Sequence, residues 1–439
     1  MVNDRRPASG KLLRILGVGF GLAVTVGGTI GVGILRTPGM VAAQLGNSWW
    51  ILGVWVCGGA YALLGTMVVT ELAVSLPQAG GWYVYARRAF GRYGGFLVGW
   101  SDWIGQSGAL AYLATASGEF TGQLFDPPRP EAARPVAVAL LSAFALLHWT
   151  GLRAGSRAQG LTSLLKAAAL AAFVILCFAL VPAPAAEPWP SPQFPALLVA
   201  LVIALQSVVV TYDGWYSAIY FTEEDRNPAR NMPRALIGGI ACTIAIYVLV
   251  NLALLHALPM RALAQSKLPA ADVAGRLFGA AGARIITGLC LLSLLGILNA
   301  VLMLTPRILF AMGRDRLFWA RATSVNRGGT PDVAMFLSTL AGIALVMSGT
   351  FEKLVAITSF FYVFIYGSGC CALYALRRRE PDLPRAFRVP GYPWSPLVFL
   401  LASAAFLVGS VLSDKENSLW ALALIAASYP VYLARFRRR

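Results

Sequence analysis

The chain has 439 residues, of which 58% are hydrophobic and 13% charged, with a net charge of +17. A water-soluble domain carries about 25% charged residues, so lipid must solvate most of this surface. The basic residues sit in short clusters between apolar runs and are not interleaved with aromatics on one face, which argues against nucleic acid as a partner.

The basic opening segment (Arg5, Arg6, Lys11 and Arg14) leads into an apolar stretch too long for a signal-peptide core and without a convincing cleavage site. It is expected to stay as the first span. Apolar runs of about 20 residues match the roughly 30 Å hydrocarbon core of a bilayer when helical. They fall at 15–43, 48–76, 94–123, 134–150, 158–181, 196–221, 235–256, 282–312, 333–349, 353–376, 395–412 and 418–434. None alternates apolar and polar residues as barrel strands do. The predicted fold class is therefore all-α and integral to the membrane, with about twelve transmembrane helices and no intervening stretch long enough for a soluble domain. Cys57, Cys177, Cys242, Cys290, Cys370 and Cys371 all lie within these runs, lack metal-ligand spacing, and read as small buried hydrophobes.

Charge placement sets the orientation. With the N-terminus inside, 26 Lys and Arg fall in inner segments and 8 in outer loops, and each inner segment is basic in its turn. One missed span would break that alternation, so both termini are expected in the cytoplasm.

Two spans are interrupted. The first holds Gly27-Gly28-Thr29-Ile30-Gly31-Val32-Gly33, and four glycines in seven residues weaken a helix. The sixth holds Thr211-Tyr212-Asp213-Gly214-Trp215, a polar insert in an apolar run. Spans one and six correspond if five helices repeat, inverted, as the next five, and paired interruptions point to a transporter binding site. A broken helix exposes free N–H groups on one half and free C=O groups on the other. The N–H end attracts a carboxylate and the C=O end an ammonium, so two breaks side by side suit a zwitterion. Close helix packing through small residues is the alternative for the glycines; the paired break in span six weighs for a site.

Gly28-Thr29-Ile30-Gly31-Val32-Gly33-Ile34, then Thr37-Pro38-Gly39, resembles the first-helix signature of the amino acid–polyamine–organocation transporters. Glu71-Leu72-Ala73 with Pro77 and Gly80-Gly81-Trp82-Tyr83-Val84-Tyr85 is similar to that family's second-helix end and following loop. Tyr212-Asp213-Gly214-Trp215, Thr222-Glu223-Glu224, Asn227-Pro228 and Asn231-Met232-Pro233 resemble the L-type amino acid transporter branch. So do Arg378-Arg379 and Pro381-Asp382-Leu383-Pro384-Arg385-Ala386-Phe387-Arg388-Val389-Pro390-Gly391. The likeness runs from about residue 15 to about 412. It implies a five-plus-five inverted-repeat (LeuT-like) fold with broken helices one and six, in which helices one, two, six and seven rock against three, four, eight and nine. The chain would divide into a cytoplasmic tail (1–14), a ten-helix transporter core (15–376), and helices eleven and twelve with a basic tail (377–439). Carried over residue by residue, the backbone of Thr29, Ile30, Gly31, Val32 and Gly33 would hold the substrate carboxylate. That of Val210, Thr211, Tyr212 and Asp213, with Val26 and Gly27, would hold the amine.

Lys166 lies in span five between Leu164-Leu165 and Ala167-Ala168-Ala169. A charge inside a span is a functional hypothesis by default. Some relatives place a lysine here, where sodium-coupled members of the wider fold bind an ion. The resemblance implies a coupling ammonium that replaces the cation, leans on helix-one carbonyls and releases a proton in the cycle; snorkelling to the interface is the alternative. Asp213 suits an amine or caps the broken helix. Glu71 reads as structural. Asp102 and Glu119 read as lying near span ends or in polar neighbourhoods, His148 and His256 as interfacial, and Trp49, Trp50, Trp189 and Trp420 as an aromatic belt.

Animal L-type members carry a bulky aromatic gate where this chain has Val210, which leaves the side-chain preference open. They also carry a tether cysteine between spans three and four, which Leu124 to Arg134 lacks, so no disulfide-linked heavy subunit is expected. Two histidines and no His-Glu pair leave little for metal chemistry, and no cofactor is expected. The expected function is secondary transport of amino acids by alternating access, proton-coupled or exchanging, with the substrate and the lipid bilayer as partners. The alternatives are a carrier of cationic amino acids or polyamines and, from another class, a membrane-embedded enzyme or sensor. The short tails and absent tether suggest the cell membrane of a bacterium.

Overall fold

The computed structural model describes residues 12–125, 129–185, 189–279, 281–348 and 351–436; Arg5, Arg6, Lys11, Arg437, Arg438 and Arg439 of the basic tails lie outside the described residues. Among the described residues the chain is helical, and its one β contact is an isolated bridge between Leu16 and Asp225. In chain order the helices are α1 (Val18–Thr29), α2 (Gly33–Leu45), α3 (Ser48–Ser75), α4 (Trp82–Gly122) and α5 (Ala133–Trp149). They continue with α6 (Leu152–Leu180), α7 (Ala196–Thr211), α8 (Pro228–Ala257), α9 (Met260–Gln265) and α10 (Pro269–Phe278). The last are α11 (Ala281–Arg314), α12 (Asp332–Ser348), α13 (Phe351–Arg379), α14 (Trp394–Ser413) and α15 (Lys415–Phe436). A 3-10 helix, Ser217–Glu224, follows α7.

Eight of these helices are long and apolar enough to cross a bilayer, and nine spans result if the bent pair α1–α2 is one. Helices α7 and α12 are apolar but shorter. Boundaries fall within a few residues of the apolar runs in most cases, because run length is what the bilayer dictates. Helix α4 is the main exception. It begins at Trp82 and is bent at Gly91 (φ 78°, ψ −165°), so Arg87 and Arg88 lie on a helical arm ahead of the span. The loop after α8 also folds, into α9 and α10, with Ala270, Val273 and Ala274 buried.

Local chemistry sets the helix ends. Gly46 ends α2 in the left-handed conformation (φ 59°) with its N–H on Ala42 O. Asn47 then starts α3 by accepting from the N–H groups of Trp49 (2.9 Å) and Trp50 (3.4 Å). Pro228 and Pro269 occupy the first positions of α8 and α10, where their missing N–H is harmless.

The helices pack as two groups. Helices α1, α2, α3, α7 and α8, with the 3-10 segment, pack on one another; α4, α5, α11 and α12 form a second interlocked set. Helix α6 bridges them, touching α1 and α8 on one side and α5 and α11 on the other. Helix α13 lies on α4 and carries α14 and α15 outward. Two sequence expectations change here. Cys57, Cys242 and Cys371 are exposed rather than buried, because a helix apolar on every side gives no sign of which face meets lipid. His148 is buried rather than interfacial, while His256 Nε2 contacts Val181 O at 3.0 Å.

Candidate functional site

Helix one breaks where the glycines cluster. Helix α1 ends with Ile30 extended (φ −72°, ψ 103°), α2 restarts at Gly33, and the two halves meet at a 41° bend. Gly31 N–H meets the Tyr247 hydroxyl oxygen, whereas among the described residues no acceptor satisfies the N–H groups of Val32, Gly33 and Ile34. These are the orphan donors of a helix start, in the half that carries the positive dipole end. In helix six, α7 ends at Thr211, the chain turns at Gly214 (φ 100°), and the 3-10 segment resumes at Ser217. The breaks touch: a Cβ on Gly214 would fall on the main chain of Gly28, 2.7 Å from its carbonyl carbon and 3.1 Å from Thr29 N. Only glycine combines that positive φ with so close an approach.

Two side chains absent from the lipid-facing surface satisfy the carbonyls freed by the breaks. Lys166 is fully buried and does not snorkel. Its Nζ donates to Gly27 O (2.6 Å), Ile30 O (2.9 Å) and Ser293 O (3.5 Å), so its three protons meet three carbonyls. An ammonium at the C-terminal end of α1 also complements the helix dipole. Tyr247 of α8 donates its one proton between Thr29 O (2.9 Å) and Thr211 O (3.2 Å), spanning both breaks. Thr37 and Thr211 join the two halves again through their hydroxyls (2.9 Å). We expect Tyr247→Phe to weaken this junction by about 1 kcal/mol, the net worth of a buried hydrogen bond, and substrate affinity by about fivefold. Titration of substrate binding and thermal melting in detergent check this; wild-type values for both would remove the bridge from the account.

A cavity of about 670 Å³ opens from the junction. Of the residues predicted for the site, Thr29, Gly31, Val32, Gly33, Val210, Thr211 and Asp213 line it; Val26, Gly27, Ile30 and Tyr212 do not. Val26 O accepts Ile30 N–H, and the carbonyls of Gly27 and Ile30 face Lys166. Tyr212 packs instead against Trp55 and Tyr247. The amine position expected at Val26 and Gly27 is thus occupied by protein groups in this conformation. Asp213 accepts a hydrogen bond from the Tyr366 hydroxyl. The wall opposite the breaks comes from α4 and α13 and is hydroxyl-rich: Gln106, Thr358, Ser359, Tyr362 and Tyr366. Sequence reasoning missed these residues and Tyr247, because isolated polar residues within apolar runs carry no sign of which cavity they share.

The cavity's exposed rim residues Arg36, Met40, Glu119 and Val210 lie beyond the breaks, away from Leu16. At the Leu16 end the chain is closed. Leu16 N–H donates to Glu224 O, and Arg226 N–H to Leu16 O, both at 3.0 Å. Glu224 is ion-paired with Arg307 at 2.8 Å, both buried, and Arg314 pairs with Glu223 at 2.9 Å. Glu71, read as structural, is buried against Arg377 (2.5 Å) and Arg385 (3.2 Å) and accepts Val389 N–H (2.6 Å). It thereby ties α3 to the Pro381–Gly391 loop.

Comparison with known proteins places this architecture. Residues 21–429 match the amino acid permease family. The chain is 28% identical to the serine/threonine exchanger SteT of Bacillus subtilis (strain 168), over 98% of each chain. It is 28% identical to the large neutral amino acids transporter small subunit 2 of Homo sapiens, covering 98% of this chain and 83% of that one. It is 27% identical to the b(0,+)-type amino acid transporter 1 of Mus musculus, covering 92% and 84%. With a match over nearly its whole length, the chain belongs to the amino acid permease family, whose members are membrane transporters and not enzymes.

Proposed function

We propose that this permease moves a small neutral amino acid by alternating access, in exchange for another or together with a proton. The carrying observation is the row of unsatisfied N–H groups from Val32 to Ile34 beside a cavity bounded by two interrupted helices. Such donors at a helix start suit a carboxylate. Thr211 and Asp213, at the break in helix six beside this row, line the same cavity, and the Asp213 carboxylate suits the ammonium. The hydroxyl-rich wall from α4 and α13 then faces the side chain. It favours short polar side chains, which can accept or donate further hydrogen bonds to that wall. Val210 in place of a bulky gate leaves this wall open to the rim.

In this reading α1–α2 and α7 with its 3-10 segment are each one pass, giving twelve. The basic inner segments support a topology with both termini in the cytoplasm, and the missing tether cysteine suits a bacterial cell. The closed Leu16 end is then cytoplasmic and the conformation outward-open. Residues 15–376 form the transporting core, and Lys166 is the coupling residue. The absence of cysteine from 124–134 argues against a disulfide-linked partner.

Reconstituted vesicles test this. Labelled serine, threonine, alanine or a larger neutral amino acid is presented with and without unlabelled substrate inside, and with and without a pH gradient. Uptake stimulated by either, strongest for the small polar substrates, is the expected result. Vesicles that accumulate no amino acid under either condition would overturn the reading; preference for lysine or putrescine would overturn the neutral substrate class.

A further inference from the structure

We infer that Asp102 is a proton-carrying residue of the transport cycle, held between the α4 scaffold and the 3-10 half of helix six; this rests on the transport reading above. Asp102 lies in mid-α4 and is fully buried, and among the described residues it has no ion pair. Its partners are neutral. The Tyr220 hydroxyl lies 2.9 Å from both carboxyl oxygens, and Gln106 Nε2 lies 3.3 Å from one of them. Gln106 in turn reaches the Tyr216 hydroxyl (3.3 Å) and accepts from the Tyr362 hydroxyl (3.0 Å).

An anionic carboxylate in a membrane interior without a cation is costly, and such residues mark ion or proton pathways. The Tyr220 contacts fit a carboxyl that holds a proton. One hydroxyl has one hydrogen to give; with the acid protonated, one carboxyl oxygen accepts from Tyr220 and the other donates to it. The titratable groups of the Asp102 network are Tyr220 from the 3-10 segment, Tyr216 just before it and Tyr362 from α13; Tyr366 of α13 is engaged by Asp213. Helix α11 brings Arg307, which Glu224 engages; α5 brings His148, α12 Asp332 in its first turn, and α15 Tyr429 and Tyr432 against Tyr93. None of these joins the network.

Placement links this acid to both substrate and motion. Gln106 lines the cavity one hydrogen bond from Asp102, and Tyr216 and Tyr362 line it two bonds away, through Gln106. Tyr220 belongs to the half-helix whose far end closes the molecule at Leu16 and Glu224, and Tyr216 caps its start. In the present state Asp102 binds one proton from the cavity side and is neutral. When the half-helix moves away, Tyr220 leaves, water reaches the carboxyl from the other side, and the proton departs to leave a carboxylate. The carboxylate is reloaded only when the half-helix returns.

Vesicles containing the full-length protein or its Asp102→Asn variant separate the possibilities. The amide imitates the neutral acid, so the variant should keep exchange of labelled for unlabelled substrate. It should lose accumulation driven by an imposed pH gradient and the accompanying proton flux. Gradient-driven accumulation at the wild-type level in the variant would overturn the proposal. So would wild-type exchange that proceeds with no proton flux under any gradient, although amino acid transport itself would then stand. Absence of any amino acid transport by the wild type would instead sink the broader reading. If Asp102→Asn fails to fold, infrared difference spectra of the wild type decide. A protonated-carboxyl band that titrates, and moves in Tyr220→Phe, supports the proposal; its absence overturns it.

Discussion

Lys166→Met should transport at less than about one-tenth of the wild-type rate while remaining folded. The methionine keeps most of the stem volume and removes the three donors. The carbonyls of Gly27 and Ile30 then lose their partner at the point where α1 ends. A buried carbonyl left unsatisfied costs about 1–3 kcal/mol, and two of them exceed the 1.4 kcal/mol that makes a factor of ten. The loss is directed at transport and less at global stability, because the substitution also removes a buried charge without a counter-ion, itself costly. The break in helix one relaxes toward conformations that satisfy those carbonyls in other ways, and the N–H row from Val32 to Ile34 moves with it. Lys166→Arg should not rescue, since the site leaves little room: a Cβ on Gly296 would already sit 3.0 Å from Nζ. Initial rates in vesicles, paired with melting curves, measure both sides of this. Wild-type uptake with a wild-type pH profile in Lys166→Met would remove the lysine from the mechanism.

Lys166 also shows how far the sequence reaches. A lone lysine in an apolar run is conspicuous, and a glycine cluster or a Thr-Tyr-Asp-Gly insert is equally so, because each breaks the uniformity that lipid imposes. The spans and both interruptions were legible for that reason. Partnerships were not. Asp102 and Tyr220 are 118 residues apart, and Tyr247 and Thr29 are 218 apart; nothing in either local pattern announces the other. The same limit explains Cys57, Cys242 and Cys371. In a helix apolar all round, burial is decided by which neighbours arrive, not by periodicity. The helical arm from Trp82 to Phe90 was hidden differently, since its arginines look like the loop charge that ends a span. The motif points to Val26, Gly27 and Tyr212 at the helix breaks, but Gly27 O faces Lys166, Val26 O accepts Ile30 N–H, and Tyr212 does not line the cavity.

Arg307→Met should give the largest loss of stability among single substitutions, about 3–5 kcal/mol, because it strands Glu224 as a buried anion. Arg307 Nη2 lies 2.9 and 2.8 Å from the two Glu224 oxygens, its Nε lies 3.2 Å from one of them, and the guanidinium sits 4.3 Å above the Phe221 ring. The pair fastens the 3-10 segment to α11, and so one packed group of helices to the other, at the closed end of the cavity. Glu224→Gln in the Arg307→Met background should recover most of the loss, since an amide tolerates burial far better than a carboxylate and the methionine packs on Phe221. Those two variants with Glu224→Gln alone form a cycle whose coupling term measures the pair, independent of the packing each side chain contributes separately. Stability and transport should then part company. The recovered double variant no longer holds the Leu16 end shut by charge, so its conformational balance shifts toward opening on that side. It should melt near the wild-type temperature yet transport with altered substrate affinity measured from the two faces of the vesicle. An Arg307→Met protein that melts like the wild type would show that the pair does not fasten this end. A double variant with wild-type affinity on both faces would show that it plays no part in switching.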